Sequence, residues 1–147
     1  MPETFNVGAI EMNFLLTKED TAGSMDLFEF TVPPGAKVPM PHYHRDFDEA
    51  TYCLSGTLTW IVEGEETALN PGDHMYIARG KVHHFVNRGD VPAKVLAVLT
   101  PGLVGTGFFR DAGAAIAAAK GAPPDPSVMR EVFARYGVVA VPEALGG

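Results

Sequence analysis

From Glu11 to Thr100 hydrophobic residues occur in short runs broken by turn residues at intervals of roughly ten, the pattern of a sandwich or barrel of short strands. Met25–Val32 (MDLFEFTV), Leu58–Glu63 (LTWIVE), Asp73–Ile77 (DHMYI), Val82–Val86 and Ala93–Leu99 (AKVLAVL) are rich in branched and aromatic residues and are predicted as strands. Pro33-Pro34-Gly35, Ser55-Gly56, Glu63-Gly64, Asn70-Pro71-Gly72 and Asn87-Arg88-Gly89 supply the bends between them. After Thr100 the period changes. Phe108, Phe109, Ala112 and Ile116 mark one face of a helix over Gly107–Lys120. Asp125-Pro126 then provides an N-cap and a proline at the first helical position for a second helix over Ser127–Tyr136, which Gly137 stops. The expectation is an all-β domain, residues 1–147, with a helical C-terminal extension at 107–147 packed outside the barrel or across a dimer contact. Exposed sheet edges and an apolar outer face also predict a homodimer.

Composition narrows the function classes. A hydrophobic fraction of 46% and a charged fraction of 20% are those of a globular protein able to build a core without disulfides. A net charge of -7 and the lack of any basic run argue against a nucleic-acid partner. No apolar stretch is long enough to span a bilayer, and Met1–Ala9 lacks a signal-peptide pattern, so the expected location is cytoplasmic and away from membranes. The single cysteine, Cys53, cannot form an internal disulfide. A small molecule is the expected partner.

The candidate chemistry lies in three of the five histidines: His42 and His44 in PHYHRDFDE, and His83 in GKVHHFVN. Alternate residues of an extended segment point the same way, so His42 and His44 aim two imidazoles at one place. Glu49 would face oppositely on an uninterrupted strand, but Arg45-Asp46-Phe47-Asp48 can turn the chain and return its carboxyl group to the histidines. A His-x-His pair alone is more often a polar face, and a single glutamate is usually solvated. The joint occurrence is what points to a site for iron, manganese, nickel, cobalt or zinc rather than calcium.

These residues resemble the two sequence motifs of the cupin superfamily. Gly35, His42, His44, Glu49 and Gly56 follow the first, with four residues between His44 and Glu49 and six between Glu49 and Gly56. Gly72, Ala78, Gly80, His83 and Asn87 follow the second at every interval. Six residues instead of five separate Gly35 from His42, and Ala78 replaces a proline. The resemblance covers residues 25–100 and implies a double-stranded β-helix, or jelly-roll barrel of the RmlC-like kind, with two short C-terminal helices. It further implies one divalent transition metal held by His42, His44, Glu49 and His83, with positions open for water or substrate.

HRDFDEATYCLSGTLTW, Thr100-Pro101-Gly102 and the tail ending in ARYGV are similar to small bacterial single-domain cupins related to one half of quercetin 2,3-dioxygenase. That likeness implies a dioxygenase-type oxidoreductase acting on a small aromatic or enol substrate, with Glu49 also a proton acceptor. Redox-neutral isomerisation or polyketide cyclisation, and metal-dependent binding without turnover, are the alternatives, because this fold hosts all of them. His84 is expected to face away from the metal, His74 to lie on the surface and Cys53 to be a strand residue. Tyr43, Tyr52, Trp60 and Phe85 are expected in the core, and Met40 on the face of His42.

Overall fold

The computed structural model describes residues 3–37 and 40–142. Its strands are β1 (Glu3–Val7), β2 (Ile10–Leu16), β3 (Asp26–Val32), β4 (His42–His44), β5 (Asp48–Ser55), β6 (Leu58–Val62), β7 (Glu65–Leu69), β8 (His74–Ile77), β9 (His83–Val86), β10 (Ala93–Thr100) and β11 (Val138–Ala140). The helices are α1 (Gly105–Ala118) and α2 (Pro126–Arg135). Two antiparallel sheets, ordered β1-β2-β3-β10-β5-β8 and β11-β4-β9-β6-β7, face each other as a jelly roll. The two sheets keep separate edges among the described strands, so the fold is a flattened sandwich rather than a continuously closed barrel.

Alternation along the strands builds the core. In β10, Ala93, Val95, Ala97 and Leu99 are buried, while Lys94 and Thr100 are exposed. In β3 the buried set is Asp26, Phe28, Phe30 and Val32. Aromatic rings knit the interior: Phe14 stacks on Phe28 at 5.0 Å, Phe30 on Phe85 at 5.2 Å, and Trp60 meets Phe85 at 5.1 Å between ring centroids. Such pairs add about 0.5–1.5 kcal/mol each beyond the burial of their area.

Two motif residues are structural. Gly56 adopts φ +70°, and a Cβ there would lie 2.3 Å from the Pro92 carbonyl oxygen. Only glycine fits that backbone approach. Asn87 is buried; its Nδ2 donates to the carbonyls of Val32 and Val91, both at 2.9 Å, and its Oδ1 accepts from the Gly89 N–H. It thus ties the turn before β10 to the end of β3.

α1 starts at Gly105, two residues earlier than the apolar period suggests, because Asp26 reaches its first turn. Fully buried Asp26 accepts the N–H groups of Val104 (3.2 Å), Gly105 (3.0 Å) and, from the other side, Lys18 (2.8 Å). α2 is capped as expected, with the Asp125 side chain accepting from the Ser127 N–H at 2.9 Å, and Gly137 at φ +75° ends the segment. The helices do not pack outside the sandwich. Phe108, Phe109 and Ala112 of α1 and Met129 and Phe133 of α2 turn inward and line the space between the sheets. The reason is the amphipathic face itself, which covers the otherwise open apolar mouth. The chain then returns as β11, a strand not anticipated from sequence, beside β4. No helix among the described residues is long and apolar enough to cross a membrane.

Candidate metal centre

β4 carries His42 and His44 on one side, and the adjacent β9 places His83 opposite His42 in the ladder. The three imidazoles form a tight triangle with ring centroids 4.6 to 5.1 Å apart: His42–His83 at 4.6 Å, His44–His83 at 4.7 Å and His42–His44 at 5.1 Å. One ligand-type nitrogen from each lies within 4.8 Å of the others. Two rings are oriented by the backbone. The carbonyl of Met40 sits 3.0 Å from His42 Nδ1 and that of Lys81 sits 2.9 Å from His83 Nδ1, so each Nδ1 carries the proton and each Nε2 keeps its lone pair.

Glu49 arrives from the other sheet. Residues 45–47 carry the chain from β4 across to β5, where period-two alternation buries Glu49, Thr51 and Cys53. Glu49 Oε1 then lies 3.6 Å from His83 Nε2 and 3.9 Å from His44 Nδ1. The crossing is fastened at both ends. Phe47, 1% exposed, stacks on the His44 ring at 4.3 Å, and Asp48 binds Arg79 through Nε (3.1 Å) and Nη2 (3.0 Å). The Arg79 hydrogen bonds hold the Asp48 carboxyl down at a pKa of about 2. The insert is therefore not simply polar, since Phe47 backs a candidate ligand.

Burial, and after it the proximity of His83, lowers the pKa of His42 from 6.5 to about 3 against the opposing pull of the Met40 carbonyl. Burial, followed by the neighbouring His42 and His83, also lowers that of His44. Both imidazoles are thus neutral near pH 7, the protonation state a metal requires. Three imidazoles with a carboxyl group beside them fit a divalent transition metal.

The remaining expectations sort by strand parity. His84 pairs with Ile61 on the far side of its strand from His83 and has no place in the triangle. His74 is exposed and stacks on Tyr52 at 6.3 Å. Tyr52 is itself 44% exposed, contrary to the expectation of a core position, because β5 turns Glu49, Thr51 and Cys53 inward and their neighbours outward. Cys53 is fully buried and its thiol pKa is raised, chiefly by that burial. Tyr43 is half-buried opposite Val139, and Met40 packs against the core while its carbonyl orients His42.

Beside the triangle lies a cavity of about 100 Å³. Its polar lining groups are His42, His44, His83, Glu49 and the indole N–H of Trp60; the other lining residues are apolar. Phe85, read from sequence as core, lines this space, as does Trp60. The contributions of Phe133 and Met129 were not legible, although the apolar positions in α1 and α2 were the available signal. Phe133 meets the His42 ring edge-on at 5.8 Å.

Residues 28–99 match the family described as Cupin domain. The chain is 33% identical over 96 residues to quercetin 2,3-dioxygenase of Bacillus subtilis (strain 168), covering 65% of this chain and 28% of that one. It is 38% identical over 68 residues to the tetracenomycin polyketide synthase protein TcmJ of Streptomyces glaucescens, covering 46% of this chain and 45% of that protein. It therefore spans less than half the length of these two relatives. Among solved structures, a sugar phosphate isomerase of the cupin superfamily from Silicibacter pomeroyi matches with a TM-score of 0.53 and 30% identity, over 60% of this chain and 59% of that one.

Proposed function

This chain carries a cupin domain, and from that premise we propose that it is a metal-dependent enzyme, dioxygenase-like in chemistry, acting on a small aromatic or enol substrate. The observation that carries the proposal is the chemistry of the cavity wall. Its lining has no lysine, arginine, serine, threonine, asparagine or glutamine to receive a phosphate or a set of hydroxyl groups. A charged or sugar-like ligand would be stripped of water there without replacement, at a cost of several kcal/mol by about 2–7 per unpaired polar group. An aromatic ring with an oxygen directed at the histidines has no such penalty.

His42, His44, His83 and Glu49 would hold one divalent ion, and that ion would supply a binding point for the substrate oxygen and, if it is iron, manganese, nickel or cobalt, electron exchange with dioxygen. The chain's own residues do the rest. The aromatic wall excludes water and orients the ring. Glu49 Oε1, close to His44 and His83, receives the proton of the enol as its oxygen turns to the metal site.

Redox-neutral cyclisation of a polyketide is the second reading, favoured by the likeness to TcmJ and by the same apolar wall; zinc would suffice for it. The test is the metal content of protein purified without chelator, followed by dioxygen uptake with a panel of enols from one ring to three. Uptake with matching product supports the oxygenase. Conversion without uptake overturns it in favour of cyclisation or isomerisation, and binding without conversion overturns enzymatic action altogether.

A further inference from the structure

Two buried side-chain polar atoms among the described residues have no hydrogen-bond partner, Thr51 Oγ1 and Trp60 Nε1. Thr51 does not line the cavity; Trp60 does. The indole is 1% exposed and lies with its ring centroid 6.3 Å from that of His83, among Phe30 and Phe85. An indole N–H closed off from water and left unpaired is costly, and tryptophan is ordinarily placed inside a protein where its donor finds a partner. The rest of the wall around it could have been formed by phenylalanine, as its neighbours show.

We propose that Trp60 is a substrate-binding residue whose Nε1–H donates to a carbonyl or enolate oxygen of the ligand, and that the ligand is a single-ring aromatic carrying that oxygen. This rests on the aromatic reading of the cavity given above. The size follows from the space. The cavity of about 100 Å³ is no larger than those of about 150 Å³ that accept benzene, so with α1 and α2 where they stand it takes one ring, not the three of a flavonol. The orientation follows from the two polar ends. The histidine triangle and the Trp60 donor lie side by side on one wall, so the acceptor oxygen is on the same edge of the ring as the group directed to the histidines. The opposite edge meets only hydrocarbon, including Phe109 and Met129.

The test exploits the fact that Trp60 is the sole tryptophan, so the protein has one indole N–H resonance. The full chain, once metal-free and once loaded with zinc, is titrated with acetophenone and with α-methylstyrene, which has the same shape but no acceptor. Affinities are read from ligand-detected NMR in the parent and in Trp60→Phe, and the indole resonance is followed in the parent. The expected result is a downfield shift of that resonance with the ketone alone. Trp60→Phe should weaken acetophenone about tenfold while changing α-methylstyrene less than about twofold. If both probes bind the parent but the indole proton does not move, the role of Trp60 is refuted and the aromatic cavity stands, whether or not Trp60→Phe folds. Equal weakening of both probes by Trp60→Phe refutes it also. If neither probe binds the parent, the aromatic reading of the cavity falls, and this inference falls with it. Tighter binding of 3-hydroxyflavone than of acetophenone would overturn the single-ring limit.

Discussion

Acidification of the metal-free chain should expose the burial of His42 as a measurable loss of stability. Its imidazole titrates at about 3 in the fold instead of 6.5, burial being the main cause. The folded state therefore binds this proton less readily than the unfolded state does. Above pH 6.5 neither state is protonated and the difference contributes nothing; below it the unfolded chain gains a proton that the fold resists. Stability falls with pH from 6.5 down to about 3, by ~1.4 kcal/mol per unit. Between about pH 7.5 and about pH 5 the loss assigned to His42 is therefore ~2 kcal/mol, a large share of the ~5–15 kcal/mol of a typical domain. Urea unfolding with a chelator at the two pH values measures it, in the parent and in His42→Phe. The aromatic substitution keeps a neutral ring beside Phe133 and removes the titration. The parent should lose about 2 kcal/mol more than the variant over this interval. Parallel losses would refute the reasoning and mean that the His42 ring is solvated enough to take its proton in the fold.

Metal content by mass spectrometry should fall sharply in His44→Ala and His83→Ala and stay at the parental level in His74→Ala, because only the first two belong to the triangle. Glu49→Gln keeps an oxygen donor but no proton acceptor, so turnover per bound metal should fall by about 10²–10⁴-fold while occupancy falls much less. Unchanged turnover per metal in that variant would leave Glu49 as a ligand only. Gly56→Ala should cost more than about 2 kcal/mol in thermal unfolding, since both its positive φ and the Pro92 carbonyl oppose a methyl group. A melting temperature within a degree or so of the parent would contradict that backbone approach.

Much of this architecture was readable because burial imposes a short period. The alternation in Asp26–Val32 and Ala93–Thr100, and the Asp125-Pro126 start of α2, come through local chemistry that needs no partner. His42, His44 and His83 were recoverable by spacing, and they do converge. What the sequence hid depends on long-range contacts. β11 is three residues long, and nothing in Val138–Ala140 names β4 as its neighbour. The inward turn of α1 was invisible because it is set by Asp26, far away in sequence, reaching Val104 and Gly105. Phe47 was obscured by its charged neighbours Arg45, Asp46 and Asp48, which gave the whole insert a solvent-facing look.

The pairing of β11 with β4 also orders events in time. Within the sheet, β4 touches β9 through the single pair His42–His83, whereas β11 covers its full length from Ala140 opposite His42 to Val138 opposite His44. The bonds from Arg45 N–H to Gly137 and from Val141 N–H to Pro41 extend that seam on both sides. On a ribosome, His42, His44, Glu49 and His83 all emerge well before the segment that clamps their strand. The jelly roll can collapse first, but the strand bearing two of the imidazoles is secured only when residues 137–141 have left the exit tunnel. Assembly of the centre is thereby coupled to completion of this part of the chain, and a nascent polypeptide halted before Gly137 would display the histidines without the seam that aligns them.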